Sequence, residues 1–362
     1  AQMPYKNAMG QTYDTGAFES VMNQGVKQAD WQGFEKRAAE SAARGRWRGL
    51  GIATFLEWTG GNALEENVNV RVMADGVIEV FSAVNAMGQG IATTLAQLVV
   101  DVFDVPLDKV RVVLGDTDRG NGFGSAGSRS LFTGGSAVSV GSAKTLEKAR
   151  ELAAEALEAS AADLQYEIGT FKVAGTDLKI SLGEIAQRQP QQRIELNSTT
   201  AASGPTWPNG CHVCEVEVDP HTGETQVVAY SSVNDVGRVV NPMIVRGQLD
   251  GGAVQGIGQA LCEHVVYDRE TGQPVTGSLM DYAVPHADIM PCMFVTHMDE
   301  NTPCKNNVLG VKGVGELGTI GATPAVVNAV ADALARNGHA KQAPHLQMPL
   351  TPPRVWSLLN GA

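Results

Sequence analysis

The chain has 362 residues, 43% of them hydrophobic and 18% charged, which describes a folded protein with a large core and room for two or three domains. Its formal net charge of −12 argues against a general nucleic-acid binder, which needs a basic face, and against docking on an anionic membrane surface. No run of eighteen apolar residues is present to form a membrane span, and the opening AQMPYKNAMGQTYDTG lacks the apolar core of a signal peptide.

Residues 17–44 read as helical, led by Phe18, Val21 and Val26, with a break near Asp30. Residues 51–59, 67–74 and 77–83 read as strands, and Asp75-Gly76 is a strong hairpin turn between the last two. A glycine-flanked turn, MGQG, then feeds the apolar-periodic helix IATTLAQLVVDVF, and VRVVLGDT reads as a strand. A Gly/Ser-rich stretch over 120–136 leads into a long Ala-rich helix ending near 159. Short strands and turns follow to about 235, and EVDPHTGETQVVAYSSV is a hairpin by its Pro, Gly and Thr content. Residues 242–262 read as a Gly-rich helix carrying Gln248, Gln255 and Gln259. Strands are expected over 292–299 and in the segment leading into Lys312. Thr323 and Pro324 suit the N-cap and first position of a helix, whose apolar face is Val326, Val327, Val330 and Leu334 and which ends at Asn337-Gly338.

Irregular alternation of β and α with many hairpins predicts an α+β fold with mixed and antiparallel sheets and packed helices, not a doubly wound sheet. No repeat of fixed period is visible. The change from long helix to turn-rich sequence suggests one boundary, giving lobes over 1–160 and 161–362.

Five cysteines scattered over the chain fit reduced thiols in a cytoplasmic protein. Cys211 and Cys214 form a CxxC, but Val216 and Val218 alternate with Glu215, Glu217 and Asp219 around it, which reads as a half-buried strand. No second CxxC or HExxH completes a protein-held metal site. Gly313 to Gly318 matches GxGxxG, yet Glu316 inside that turn would repel a pyrophosphate, and no ribose-binding acid follows on a second strand. The glycines Gly313, Gly315, Gly318 and Gly321 instead set Glu316 on a tight loop able to press against a ligand, through positive φ and close backbone approach.

Three other small-residue stretches share that design. Gly88-Gln89-Gly90 precedes a helix start with Thr93 in its first turn, where free N–H groups suit an anion. Ser128-Arg129-Ser130 offers hydroxyls and a guanidinium for a phosphate. Gln255-Gly256 places an amide among glycines, able to read donors and acceptors of a heterocycle. Together with Glu316 they suggest one large, phosphate-bearing heterocyclic cofactor.

MGQGIATTLAQLV, GSAGSRSLFTGGSA, DVGRVVNPMIVRGQLDGGAVQGIGQAL and KGVGELGTIG, in that order, resemble the molybdenum-binding subunit of the xanthine dehydrogenase family, in its carbon monoxide dehydrogenase-type form. YDTGAFESVMNQGVKQADWQGFEKR is similar to the same group, so the resemblance covers nearly the whole chain. It implies a two-lobed domain that binds molybdopterin with molybdenum, often as the cytosine dinucleotide. Gly88, Gln89, Gly90, Ser128, Arg129 and Ser130 would touch the cofactor, and Gln255 would lie near the metal's ligands. Glu316 would be the general base as oxygen from water passes to an electron-poor carbon of an aldehyde, N-heterocycle or purine. Iron–sulfur clusters and FAD would sit on partner subunits.

A typical large subunit of that family is much longer. The resemblance therefore implies a C-terminal half or a split subunit. It would share the cofactor with an N-terminal half or large molybdenum subunit and be inactive alone, alongside an iron–sulfur subunit and a flavin subunit. The rival reading is a non-catalytic binding or assembly module that keeps the fold; a scaffold has no need of Glu316.

Overall fold

The computed structural model describes residues 2–291 and 293–361. In chain order the chain forms β1 (Tyr5–Lys6), β2 (Thr12–Tyr13), α1 (Phe18–Gln28), α2 (Phe34–Ala42), β3 (Trp47–Leu56), β4 (Glu65–Met73), β5 (Ile78–Ser82), α3 (Ile91–Phe103) and β6 (Val110–Leu114). There follow α4 (Ser136–Ala156), β7 (Leu164–Glu167), β8 (Thr170–Val173), β9 (Lys179–Ser181), α5 (Leu182–Gln187) and β10 (Arg193–Ala201). The last elements are β11 (Asn209–Val218), β12 (Thr225–Asp235), α6 (Pro242–Leu261), β13 (Met293–Asp299), α7 (Leu317–Leu334) and α8 (Pro352–Asn360). The expected strand over 292–299 is β13; Cys292 lies outside the described residues. The strand expected before Lys312 is reduced to a single bridge residue, Val311, in the otherwise irregular stretch from Asn301 to Glu316, with Lys312 buried.

Two compact units interleave along the chain. The first comprises Ala1–Glu57, Trp207–Pro303 and Val314–Ala362, the second Trp58–Thr206 and Cys304–Gly313. The single boundary near 160 therefore gives way to strand pairing across it. β10 pairs with β4, Arg193 opposite Met73, and β3 pairs with β11, Trp47 opposite Val218.

Each unit has a four-stranded mixed sheet, ordered β13-β12-β11-β3 in the first and β10-β4-β5-β6 in the second. Both are built alike. A hairpin (β11–β12 or β4–β5) leads through a crossover helix (α6 or α3) to a parallel strand (β13 or β6). A second long helix (α7 or α4) follows, and a further strand pairs with the first strand of the hairpin. In the second unit that last strand, β10, comes later in sequence, after the small sheet β7–β9 and α5; in the first it is β3, taken from the N-terminal end. This permutation and unequal loops hide the repeat from any fixed sequence period.

The β11 strand departs from its half-buried reading: it is buried along its whole length. Cys214, Val216 and Val218 join the core with α6 and α7, while Cys211 and Val213 pack with Val21 of α1. The CxxC pair is thus split between opposite faces. Glu215 and Glu217 are covered because arginines meet them. Arg37 and Arg48 each reach Glu215 at 2.6 Å, and the Ser41 hydroxyl donates to Glu217 at 2.6 Å. Burial opposes ionisation of Glu217, but the Ser41 and Arg44 hydrogen bonds prevail and hold its carboxyl below the usual range.

Long and apolar enough to cross a membrane, α7 is instead the central core helix of its unit, with Ala322, Ala325, Val326, Ala329 and Val330 fully buried. β3 crosses it at Gly51, where a Cβ would sit 2.1 Å from the Ala325 carbonyl oxygen and 2.3 Å from the Ala329 nitrogen. Both are backbone atoms that cannot step aside. Gly51→Ala is expected to destabilise the chain by at least ~1–3 kcal/mol. Gly247→Ala, on α6 where nothing lies within 4 Å, should instead stabilise by up to ~1 kcal/mol. Thermal or urea unfolding of both variants tests the pair; equal midpoints would contradict this packing.

Candidate functional site

Except for Gln255 and Gly256, which lie inside α6, the predicted site residues sit where the repeated layout delivers chain from a strand end to a helix start. In the second unit, the β5–α3 connection carries Gly88, Gln89 and Gly90, and the β6–α4 connection carries Ser128, Arg129 and Ser130. Gly88 and Gly90 both take positive φ, 88° and 76°, which only glycine adopts without strain. Gly90 caps α3 with no side-chain acceptor, so the N–H groups of its first turn remain available to an anion. Thr93 is exposed on that turn.

The Gln89 amide, expected to face a ligand, is engaged by its own loop. Its Oε1 accepts from the Met87 N–H at 2.6 Å and its Nε2 donates to the Asn85 carbonyl at 2.7 Å. Asn85 and Ser125 then latch this loop to the next: the Asn85 N–H donates to Ser125 Oγ at 2.9 Å, and the Ser130 hydroxyl donates to the same oxygen at 2.7 Å. Sequence reasoning missed Asn85 and Ser125, because a lone Asn or Ser in a loop carries no signal until its partner is known.

Arg129 requires a correction. It was expected to offer its guanidinium to a phosphate, but it has no exposed surface. Its donors reach the Ala63, Glu65 and Gly124 carbonyls at 2.9, 3.0 and 2.6 Å and Glu66 Oε2 at 2.8 Å. A buried guanidinium must be neutralised and hydrogen-bonded, and the start of β4 with the two loop carbonyls does both. Arg129 therefore positions the loop that presents Ser128, which itself takes a positive φ of 56°.

In the first unit lie Gln255, Gly256, Gly315 and Glu316. The helix expected to start at Thr323 and Pro324 starts earlier. α7 begins at Leu317, with Glu316 as its N-cap residue and Pro324 inside it. Tertiary packing overrides the capping signal: α6 and α7 approach closely through glycines on both. A Cβ on Gly318 would sit 2.3 Å from the Leu249 carbonyl oxygen, and one on Gly256 2.8 Å from the Ala322 Cβ. None of Gly313, Gly315, Gly318 and Gly321 takes positive φ; their role, where they pack, is close approach.

Two rungs join the helices beside this contact. The Thr319 hydroxyl donates to Gln255 Oε1, and the Thr323 hydroxyl reaches Gln259 Oε1 at 3.1 Å. Gln255 is exposed, so with Oε1 held by Thr319 its Nε2 donor is directed away from the rung. Glu316 is exposed as well and precedes Thr319 by three residues, which puts it on the same side of α7.

A family model for the molybdopterin cofactor-binding domain matches residues 24–291. The chain belongs to that family. It is 35% identical, over 96% of its length, to the 6-hydroxypseudooxynicotine dehydrogenase complex subunit gamma of Paenarthrobacter nicotinovorans, covering 44% of that protein. It is 32% identical, over 99% of its length, to the carbon monoxide dehydrogenase large chain of Hydrogenophaga pseudoflava, covering 47% of it. The crystal structure of quinoline 2-oxidoreductase from Pseudomonas putida 86 superposes with a TM-score of 0.85 at 33% identity, covering 99% of this chain and 48% of that one. The chain thus spans just under half the length of the relatives it matches.

Taken separately, each unit of this molybdopterin-binding domain offers donors of a kind such a cofactor accepts. In the second unit the N–H groups of the first α3 turn and the Thr93 hydroxyl suit anionic oxygens, while the Arg129 guanidinium is buried; in the first unit the Gln255 Nε2 suits an acceptor. Among the described residues no group of three or more His, Cys, Asp or Glu is placed to hold a metal ion.

Beneath α7, His212 is buried against Gly321, whose missing Cβ would sit 2.2 Å from its Nδ1. Tyr230 donates its hydroxyl to Nδ1 at 2.6 Å, and Nε2–H donates to Asn234 Oδ1 at 2.9 Å. Burial holds the imidazole neutral and lowers its pKa from 6.5 to about 4; the Asn234 hydrogen bond opposes this only weakly. Because the folded value is depressed, His212 costs nothing above pH 6.5, and stability falls as pH drops from 6.5 towards 4, by on the order of 3 kcal/mol in all. Unfolding midpoints between pH 4 and 7.5 are expected to fall less steeply towards acid in His212→Gln than in the parent chain. Parallel pH profiles would refute this assignment.

Proposed function

We propose that this chain is one half of a molybdenum hydroxylase subunit that oxidises an N-heterocycle or an aldehyde with water as the oxygen source. Glu316 is its general base. Molybdopterin, in the cytosine dinucleotide form, is held jointly with an N-terminal half or a second chain, and iron–sulfur clusters and FAD belong to partner subunits. The cofactor, when bound, supplies the two-electron oxidation.

The chain's own residues do the rest. The first-turn N–H groups of α3, with Thr93 and Ser128, bind anionic oxygens of the cofactor. Gln255, its carbonyl held by Thr319, presents a fixed donor. Glu316 takes up the proton released as oxygen from water passes to the substrate carbon. A carboxylate within hydrogen-bond reach of an acidified water suits that task near neutral pH.

One observation carries this reading: the exposed Glu316 carboxylate heads α7 on the side that bears the Thr319–Gln255 rung. Quinoline, for which the solved relative is named, is an N-heterocycle and supports that substrate class.

The test is Glu316→Gln in the complex purified with its partner chains. Molybdenum and cytosine nucleotide content are expected to match the parent, while kcat for substrate-dependent dye reduction falls by roughly 10²–10⁴-fold. Full activity at full molybdenum content would remove the general-base role.

A further inference from the structure

Between α6 and β13 the described residues form only a short helical turn and one β-bridge, yet this stretch is built, not loose. The Val275 N–H donates to the Val266 carbonyl at 2.7 Å, and the Val266 N–H donates to Thr276 Oγ1 at 2.9 Å. The Asp281 and Tyr282 N–H groups both donate to the Ser278 carbonyl, and the Ser278 hydroxyl donates back to Asp281 at 2.8 Å. Pro285 fixes the far end on α6 at Gly258, where a Cβ would meet the proline ring at 2.8 Å.

This ordered stretch turns its large apolar side chains outward. Val265, Tyr267, Val275, Leu279, Met280 and Val284 are all exposed, Leu279 by 82% and Met280 by 93%. It is also poor in charge. From Thr271 to Ala287 the sole Asp, Glu, Lys or Arg is Asp281, in a chain with a net charge of −12. Apolar crowding with charge depletion marks the centre of a permanent interface, not a solvated loop.

We propose that the segment from Thr271 to Val284 is a docking face, and that its occupant is the polypeptide corresponding to the remaining half of the relatives' length. Relatives matched over 96–99% of this chain carry more than as much again beyond the matched part, which supplies a resident partner large enough to cover the face. A partner bound for the life of the complex tolerates the apolar, nearly uncharged surface that a transient one would leave bare. The inference rests on the reading that the cofactor is held jointly with that second half.

The test is methionine footprinting with dilute peroxide, read by peptide mass spectrometry, on the 362-residue chain alone and together with the complementary half. In the chain alone Met280 is expected to oxidise as fast as Met9, which is 86% exposed. In the complex Met280 should slow at least tenfold while Met9 does not. Leu279→Asp with Met280→Asp should leave the chain's own unfolding midpoint unchanged and weaken its hold on the complementary half at least a hundredfold. A complex that forms with Met280 still reactive overturns the docking face and leaves joint cofactor binding standing. Protection in the chain alone that rises with its concentration makes a second copy the occupant and overturns the proposal. Failure of the two halves to associate at all removes both readings.

Discussion

Backbone-to-backbone contact around α7 is the constraint on which the first unit depends. Gly49 and Gly51 let β3 lie against Ala329 and Ala325, Gly318 lets α6 approach at Leu249, and Gly321 makes room for His212. Each contact lacks the space for a single methyl group. Packing this close fixes a helix along its axis as well as around it, because neither neighbour has a side chain that can adjust. Glu316 is the residue immediately before this clamped helix, so its position follows from the clamp.

The second unit fixes its loops by a different physical means. Arg129 and Glu66 are both fully buried, and the guanidinium is shared among three carbonyls and one carboxylate. Removing water from such a group makes each hydrogen bond hard to give up. Asn85, Ser125 and Ser130 extend the same logic to the neighbouring loop. Charge thus works inside the fold here and not at its surface. The Arg37–Glu215–Arg48 cluster on β11 repeats the theme in the first unit and explains why two helices can cover an acidic strand face.

Much of this fold was legible in the sequence where the signal was local. The Asp75-Gly76 hairpin, the apolar helix after MGQG and the break near Asp30 follow from turn chemistry and periodicity, and Asp30 indeed takes a left-handed φ of 47°. The four motif segments were found in order, and the family they indicated is the one the chain belongs to. Signals that need a distant partner were misread. Thr323-Pro324 looks like a helix start because capping preference is local, whereas the force that extends α7 back to Leu317 comes from α6 and β3. Arg129 looked like a phosphate ligand because composition cannot reveal burial, and β11 looked half-exposed because the arginines opposite its glutamates lie on distant α2 and β3.

What the sequence by itself determined is the chemistry on offer: glycine turns, hydroxyls, two amides and one loop carboxylate, with the mixed α+β pattern that carries them. Local propensity and residue type suffice for that, since both act within a few positions of the chain. Which of those groups keep a free hydrogen-bonding atom was decided only in the tertiary structure. Gln89 closes on its own loop, Arg129 is enclosed, and Gln255 retains its donor. A polar side chain pairs with whatever acceptor folding brings nearest once water has left, and that neighbour is set by strand pairings and helix contacts between residues far apart in the chain.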